Sequence, residues 1–425
     1  LAPEVLAAVS GVAPGGLPLH VLDTTHPAAI ARLQRSPETA RTLFVVASKS
    51  GGTIETLSHF AFFHAQVGDG SRFVAITDPG TPLEALARTR GFRAIFLNPP
   101  DVGGRYSALS LFGLVPGALL GADLEILLEA AQEMACACHS CVPCEDNPGA
   151  FLGAVLGQAA RAGRDKLTLV LPPELAPMGA WIEQLVAEST GKEGTGILPV
   201  AGEDLGPPSV YGTDRLFVAL GDHEALTALE DAGHPVVRLA HRGREGLGGE
   251  FFRFEFATAF AGAVLSINPF DQPNVAEAKE ATRRILEEGT VEHPGLDDPE
   301  PLLAALRPGD YLAIQAYLDP TPEATAALQR VRLALRDRHR VATTLGFGPR
   351  YLHSTGQFHK GGPERGAFLQ IVDSDRDIDL PIPGKPFTFR SLLDAEALGD
   401  LRSLRRRGRP VARVTLAQLE AATRP

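Results

Sequence analysis

No stretch of this chain approaches the roughly 18 consecutive apolar residues that a membrane-spanning helix needs. None combines a basic start, an apolar stretch and a small-residue cleavage site in the manner of a secretory signal. Basic residues are in deficit: 40 Lys and Arg against 51 Asp and Glu leave a formal charge of -11. That balance argues against a nucleic-acid binder, which carries a basic face. The single basic run, RSLRRRGRP at 402–410, reads as a solvated helix face. Cysteine is scarce too, and all four lie in CACHSCVPC as Cys136, Cys138, Cys141 and Cys144, with His139 among them. Secreted disulfide frameworks spread their cysteines, so none is expected here. The cluster has two readings: a thiolate and imidazole metal site, or the end of a helix running into a loop. A Cys-x-Cys start without a second knuckle favours the helix end. These absences together lead us to expect a cytoplasmic protein with no nucleic-acid or membrane partner.

What is present is ordinary globular material. The 425 residues are 44% hydrophobic and 21% charged, enough for two or three domains with their own cores. Short runs rich in Val, Leu and Phe alternate with helical patterns: TLFVVAS (42–48), RFVAITD (72–78), RAIFLNP (93–99), then KLTLVLP (166–172), RLFVALG (215–221) and PVVRLAH (235–241). This alternation predicts an α/β fold with doubly wound parallel sheets. We expect one unit over 1–145, a second over 146–295, and a smaller C-terminal α/β segment over 296–425. The last contains DYLAIQAYL (310–318), a helix, an irregular run rich in Gly, His and Ser, and a closing strand, RPVARVTL (409–416).

The first strand ends in SKSGGTIET. Ligands of parallel α/β sheets gather at strand carboxyl ends, where helix N-termini point outward. Glycines there allow a tight turn, and the first amides of the following helix are donors without intrahelical partners. With the helix dipole they favour an anion. Ser48, Ser50, Thr53 and Thr56 add hydroxyls and Lys49 adds charge, a set suited to phosphate. The order is not that of the G-x-x-x-x-G-K-[ST] nucleotide loop, so ATP is not indicated. The plain alternative is a capped helix after a tight turn.

Four segments in order, SKSGGTIET, GGRYSALSLFGLVP (103–116), ESTGKEGTGILPV (188–200) and NPFDQPNVAEAK (268–279), resemble signatures of the phosphoglucose isomerase family. With LHSTGQFHKGG near the C-terminus, the layout looks most like the isomerase part of bifunctional transaldolase/phosphoglucose isomerase proteins. These residues contain no transaldolase segment. The resemblance implies two sugar-isomerase (SIS) domains, a hexose 6-phosphate substrate, interconversion of glucose 6-phosphate and fructose 6-phosphate, no metal or cofactor, and a homodimer. It leaves two alternatives open: a non-catalytic sugar-phosphate regulator using the same loop, or an isomerase that also takes mannose 6-phosphate.

The residue roles follow from the same likeness. Moving a proton between C2 and C1 needs one base reaching both carbons, a cation for the enediolate, and a pair that opens the ring. Glu188 matches the base, although alone it would read as an ordinary surface Glu. Arg105 matches the residue over the enediolate oxygen, Lys279 the ring-opening lysine and Gln272 a substrate contact. Ser48, Ser50 and Thr53 match phosphate contacts, with Lys49 and Thr56 beside them. The sequence departs from the family twice. No histidine follows the third of these segments, ESTGKEGTGILPV, in GPPSVYGTDR (206–215), where the ring-opening histidine is usual, whereas YLHSTGQFHKGG (351–362) carries almost the family's string. His353 is therefore expected in that role, with His359 as runner-up. The family's Gly-Gly-Ser loop precedes a segment like LAPEVL, where this chain starts, so an N-terminally truncated chain lacking its first strand is expected.

Overall fold

Strands buried on both faces of a parallel sheet need continuous apolar runs, and the Val/Leu/Phe runs fold accordingly. The computed structural model describes residues 1–273, 275–289, 294–374 and 376–423, with the side chains of 275–279 left aside. The chain forms two units: Leu1–Glu125 with Asp375–Asp394, and Ile126–Ser374 with Ala395–Pro425.

In the first unit β1 (Phe44–Ala47), β2 (Phe73–Thr77) and β3 (Ala94–Leu97) form a parallel sheet in the order β1-β2-β3. Every residue of the central strand is buried. The helices Ile54–Val67 and Pro82–Thr89 follow β1 and β2. The second starts well for local reasons: Thr81 accepts from the Glu84 amide and Pro82 supplies a preset φ. Val46, Phe60, Phe73, Ala75, Leu83 and Ala87 make the core. Phe44 stacks on Phe73 at 4.9 Å and Phe60 meets it edge-on at 5.4 Å. Phe389 belongs to the returning segment, stacking on His59 at 5.6 Å and meeting Phe62 edge-on at 5.5 Å.

The second unit holds two parallel sheets. One, ordered β5-β4-β6-β7, comprises β4 (Lys166–Val170), β5 (Leu198–Val200), β6 (Arg215–Leu220) and β7 (Val236–Leu239). The other, ordered β11-β10-β8-β9, comprises β8 (Tyr311–Tyr317), β9 (Ala342–Phe347), β10 (Gly366–Val372) and β11 (Val411–Val414). Ala187, Leu198 and Val200 share a core with Tyr311, Ala313, Ala342, Phe358 and Phe368, so the two sheets are joined through apolar packing. A buried carboxylate adds to the join: Glu203 lies 3.3 Å from Arg215 and 3.6 Å from Arg336, and accepts from Thr343 Oγ1 at 3.3 Å.

β5, β9 and β10 appear where the sequence reading expected no strand. β10 carries a glycine and a buried Gln370 that satisfies its amide on the Ala397 carbonyl at 2.9 Å, which hides it from a hydrophobicity pattern. The helix Leu124–Ala137 ends inside the cysteine cluster. Among the described residues no group of three or more His, Cys, Asp or Glu side chains is arranged to hold a metal ion. None of the described helices is long and apolar enough to cross a membrane.

Candidate active site

The phosphate-type loop sits at the carboxyl end of β1. Gly51 takes φ 65° and packs so closely that a Cβ there would lie 2.7 Å from Thr81 Cβ and 2.8 Å from the Leu83 nitrogen. The turn is closed by Gly51 N donating to the Ser48 carbonyl at 3.2 Å. Ser48 Oγ and Thr53 Oγ1 share a hydrogen bond of 2.8 Å, and Thr77 Oγ1 donates to the Ser48 carbonyl at 2.7 Å. Thr53 occupies the N-cap of the helix Ile54–Val67 without capping it by its side chain, so that hydroxyl does not occupy the first-turn amides. Ser50 is exposed, and Thr56 lies in the first turn of the helix. Lys49 does not extend toward the loop's amides: its ammonium pairs with Asp78 and donates to the Pro100 carbonyl at 2.8 Å. It thus braces the loop against the ends of β2 and β3.

Arg105 lies in the short helical turn Gly104–Tyr106 and is 4% exposed, with its guanidinium 5.5 Å from the centroid of the Tyr106 ring. Ser107 Oγ closes that turn on the Gly104 carbonyl at 2.6 Å.

In the second unit Glu188 stands on the last turn of the helix Met178–Thr190, 6% exposed. One helical turn earlier, Gln184 Nε2 donates to Glu188 Oε2 at 3.2 Å and to the His353 carbonyl at 2.7 Å. That amide joins two of the sequence candidates, Glu188 and His353, although they lie far apart in the chain. Burial pushes the neighbouring Glu183 carboxyl up to about 7, with Arg332 and Arg350 acting against the shift.

The turn after Glu188 docks onto the segment that carries His353. Gln357 Nε2 donates to the Gly191 carbonyl at 2.9 Å, and Gly194 N donates to the Gly361 carbonyl at 2.9 Å. A Cβ on Gly191 would lie 2.4 Å from Phe358 Cα. Further along, Lys360 pairs with Asp400 at 2.5 Å, and Asp400 also accepts from Tyr351 Oη at 2.7 Å. His353 is therefore held from both sides in sequence. His359 is placed differently. It is 2% exposed, among Tyr311, Tyr351 and Phe368, with Gln315 Nε2 3.1 Å from its Nδ1. Burial, reinforced by Lys360 and Arg409, holds its imidazole well below the ordinary range. It is a neutral core histidine, and the amide bridge to Glu188 runs to His353 instead.

Lys192 is a structural clamp with no signal of that role in the sequence. It is 1% exposed and donates to the Asn268 carbonyl at 2.7 Å, the Asp271 carbonyl at 2.6 Å and Asp271 Oδ1 at 2.6 Å. It clamps the loop bearing Gln272, itself exposed, to the turn that follows Glu188. The Lys279 side chain lies outside the described residues.

The phosphoglucose isomerase family matches residues 1–197. The chain is 30% identical over 326 residues to a glucose-6-phosphate isomerase of Rubrobacter xylanophilus, covering 63% of this chain and 74% of that protein. It is 32% identical over 326 residues to one of Thermus thermophilus, covering 64% and 78% respectively. A crystal structure of a glucose-6-phosphate isomerase from Chlamydia trachomatis superposes with a TM-score of 0.55 at 19% identity, covering 69% of this chain and 68% of that one, a likeness of fold. Alignment over about three quarters of these relatives at 30% and 32% identity, together with the four motifs and their parallel α/β setting, establishes that this chain belongs to the phosphoglucose isomerase family.

Proposed function

We propose that the chain catalyses the interconversion of glucose 6-phosphate and fructose 6-phosphate through an enediolate. The observation that carries this reading is the buried Glu188 carboxylate, oriented by Gln184 and tied through it to the His353 backbone. A sugar-phosphate sensor would need the phosphate loop but no buried, oriented base.

In this reading Ser48, Ser50 and Thr53, with Thr56 and the first amides of their helix, hold the 6-phosphate, while Lys49 braces the loop that carries them. His353 and Lys279 move the proton that opens the ring. Glu188 takes the C2 proton and returns it to C1, while Arg105 balances the charge that develops on the enediolate oxygen. Gln272 contacts the sugar. Every step moves protons within the substrate, so no metal or cofactor is called for. The family resemblance extends the reading to a cytoplasmic homodimer with sugar-isomerase domains at 1–145 and 146–295 and a C-terminal segment at 296–425.

The test is formation of fructose 6-phosphate from glucose 6-phosphate, followed in a coupled assay with the chain and its Glu188→Gln variant. Turnover by the parent and its loss in the variant are expected. A chain that binds the sugar phosphate at its loop but never turns it over would favour the sensor.

A further inference from the structure

The proposed isomerisation makes no use of the cysteine cluster, and the fold sorts its four thiols into two kinds. Cys138 is 3% exposed, packed so closely on the next helix that a Cβ on Gly149 would lie 2.9 Å from its Sγ. Burial pushes this thiol up, away from the reactive thiolate. Cys136, Cys141 and Cys144 are exposed. Cys136 stays on the last turn of the helix Leu124–Ala137, where the Gln132 amide reaches its sulfur at 3.5 Å. Cys141 and Cys144 instead share the connection to the helix Pro148–Arg161, with the spacing Cys-Val-Pro-Cys.

His139 is aimed at the first of these two. Its Nδ1 accepts from the Cys141 amide at 3.3 Å and lies 3.2 Å from Cys141 Sγ. An Nδ1 that accepts from an amide carries no proton, so the neutral ring is protonated at Nε2. In the contact between Cys141 Sγ and Nδ1, the thiol is then the donor, sharing the Nδ1 lone pair with the Cys141 amide. This arrangement couples a solvent-exposed nucleophile to a base, with a second thiol three residues on. The backbone around it is locally closed: Val142 N donates to the His139 carbonyl at 3.0 Å and Asn147 N to the Pro143 carbonyl at 2.9 Å. Cys141 and Cys144 are therefore each held in one of two successive hydrogen-bonded turns of this connection.

We propose that Cys141 and Cys144 form a reversible, peroxide-responsive disulfide, with Cys141 as the attacking thiol, His139 as its base and Cys144 as the resolving thiol. Cys141 Sγ attacks one oxygen of hydrogen peroxide as its proton passes to His139 Nδ1 and on to the departing hydroxide, leaving a sulfenic acid and water. Cys144 Sγ then displaces the sulfenic hydroxyl, forming the S–S bond and a second water. Two thiols lose two electrons and two protons, and one peroxide becomes two waters. A dithiol reverses the step by exchange. In a reducing compartment such a bond is transient, as expected of a sensor rather than a structural staple.

The test uses the full chain, fully reduced, then exposed to a small molar excess of hydrogen peroxide and mapped by peptide mass spectrometry. A loss of two hydrogens in the peptide joining Cys141 to Cys144, reversed by dithiothreitol, is expected. In Cys144→Ser, a sulfenic acid at Cys141 should be trapped by dimedone. His139→Ala should slow disulfide formation on the order of tenfold or more, the scale for losing a positioned base. Circular dichroism of each variant separates these effects from misfolding. Oxidation that links Cys136 to either thiol, or that modifies Cys141 and Cys144 independently without joining them, would overturn the proposal. So would an unchanged rate in a folded His139→Ala.

Discussion

Gln184 and Glu188 stand one helical turn apart, and the amide of the first donates to the carboxylate of the second at 3.2 Å. The same nitrogen donates to the His353 carbonyl at 2.7 Å. A single side chain thus fixes the orientation of the proposed base and its spacing from the loop of the proposed ring-opening histidine. Gln184→Ala should lower kcat by roughly ten- to a hundredfold, the cost of letting a catalytic group drift by about 1 Å. KM should change little, because the amide positions chemistry and not phosphate. A variant in which KM rises while kcat holds would assign Gln184 to substrate binding instead.

Lys192 holds the 268–271 loop with three hydrogen bonds while 1% exposed. Lys192→Met leaves two carbonyls and a carboxylate short of a donor. It should cost about 2–4 kcal/mol of stability, read as a lower denaturant midpoint at unchanged slope. If Gln272 contacts the sugar, KM should rise as well, since its loop loses the clamp.

The phosphate loop should resist a single methyl group. At Gly51, φ is 65° and a Cβ would meet Thr81 at 2.7 Å. Gly51→Ala should cost about 1–3 kcal/mol in strain or loop displacement. The kinetic signature expected is a raised KM for hexose 6-phosphate, mirrored by weaker inhibition by inorganic phosphate. Unchanged phosphate affinity in the folded variant would detach the loop from the substrate.

His59 gives the first unit an acid-labile point. Burial lowers its imidazole to about 4, against the opposing influence of its bond to the Thr24 carbonyl and of Glu55. Below about 6.5 the unfolded chain binds a proton that the folded unit refuses, so stability falls with pH from about 6.5 down to about 4. The residue as a whole keeps some exposure to solvent, so about 3 kcal/mol is the ceiling for this loss. His59→Phe should flatten the stability curve of that unit between these pH values, even if the lost hydrogen bond lowers it throughout. An unaltered slope would move the acid sensitivity to other groups.

The strand–helix alternation was readable because β1, β2, β4, β6 and β8 are short, mostly apolar runs set between amphipathic helical patterns and turn residues. The loop after β1 was readable because Ser, Gly and Thr crowd a strand end, where only a ligand or a cap explains them. β5, β9 and β10 were not, because a proline, paired threonines and a buried glutamine interrupt their patterns. Lys192 was invisible as a clamp because its partners lie 76 and 79 residues downstream. The pairing of Cys141 with His139 was also hidden, since sequence proximity alone does not aim a ring at a sulfur. Likewise Phe389 joins the first unit's core from almost the far end of the chain, a contact with no local signal.

The central claim is that Glu188 carries the proton between C2 and C1. It is tested most directly by incubating glucose 6-phosphate in deuterated water with the parent chain and with Glu188→Gln, and following deuterium at C2 by proton NMR. The account predicts that exchange in the variant falls at least about a hundredfold, with inorganic phosphate still bound at parental affinity. Exchange within about twofold of the parent in the folded Glu188→Gln chain would contradict it.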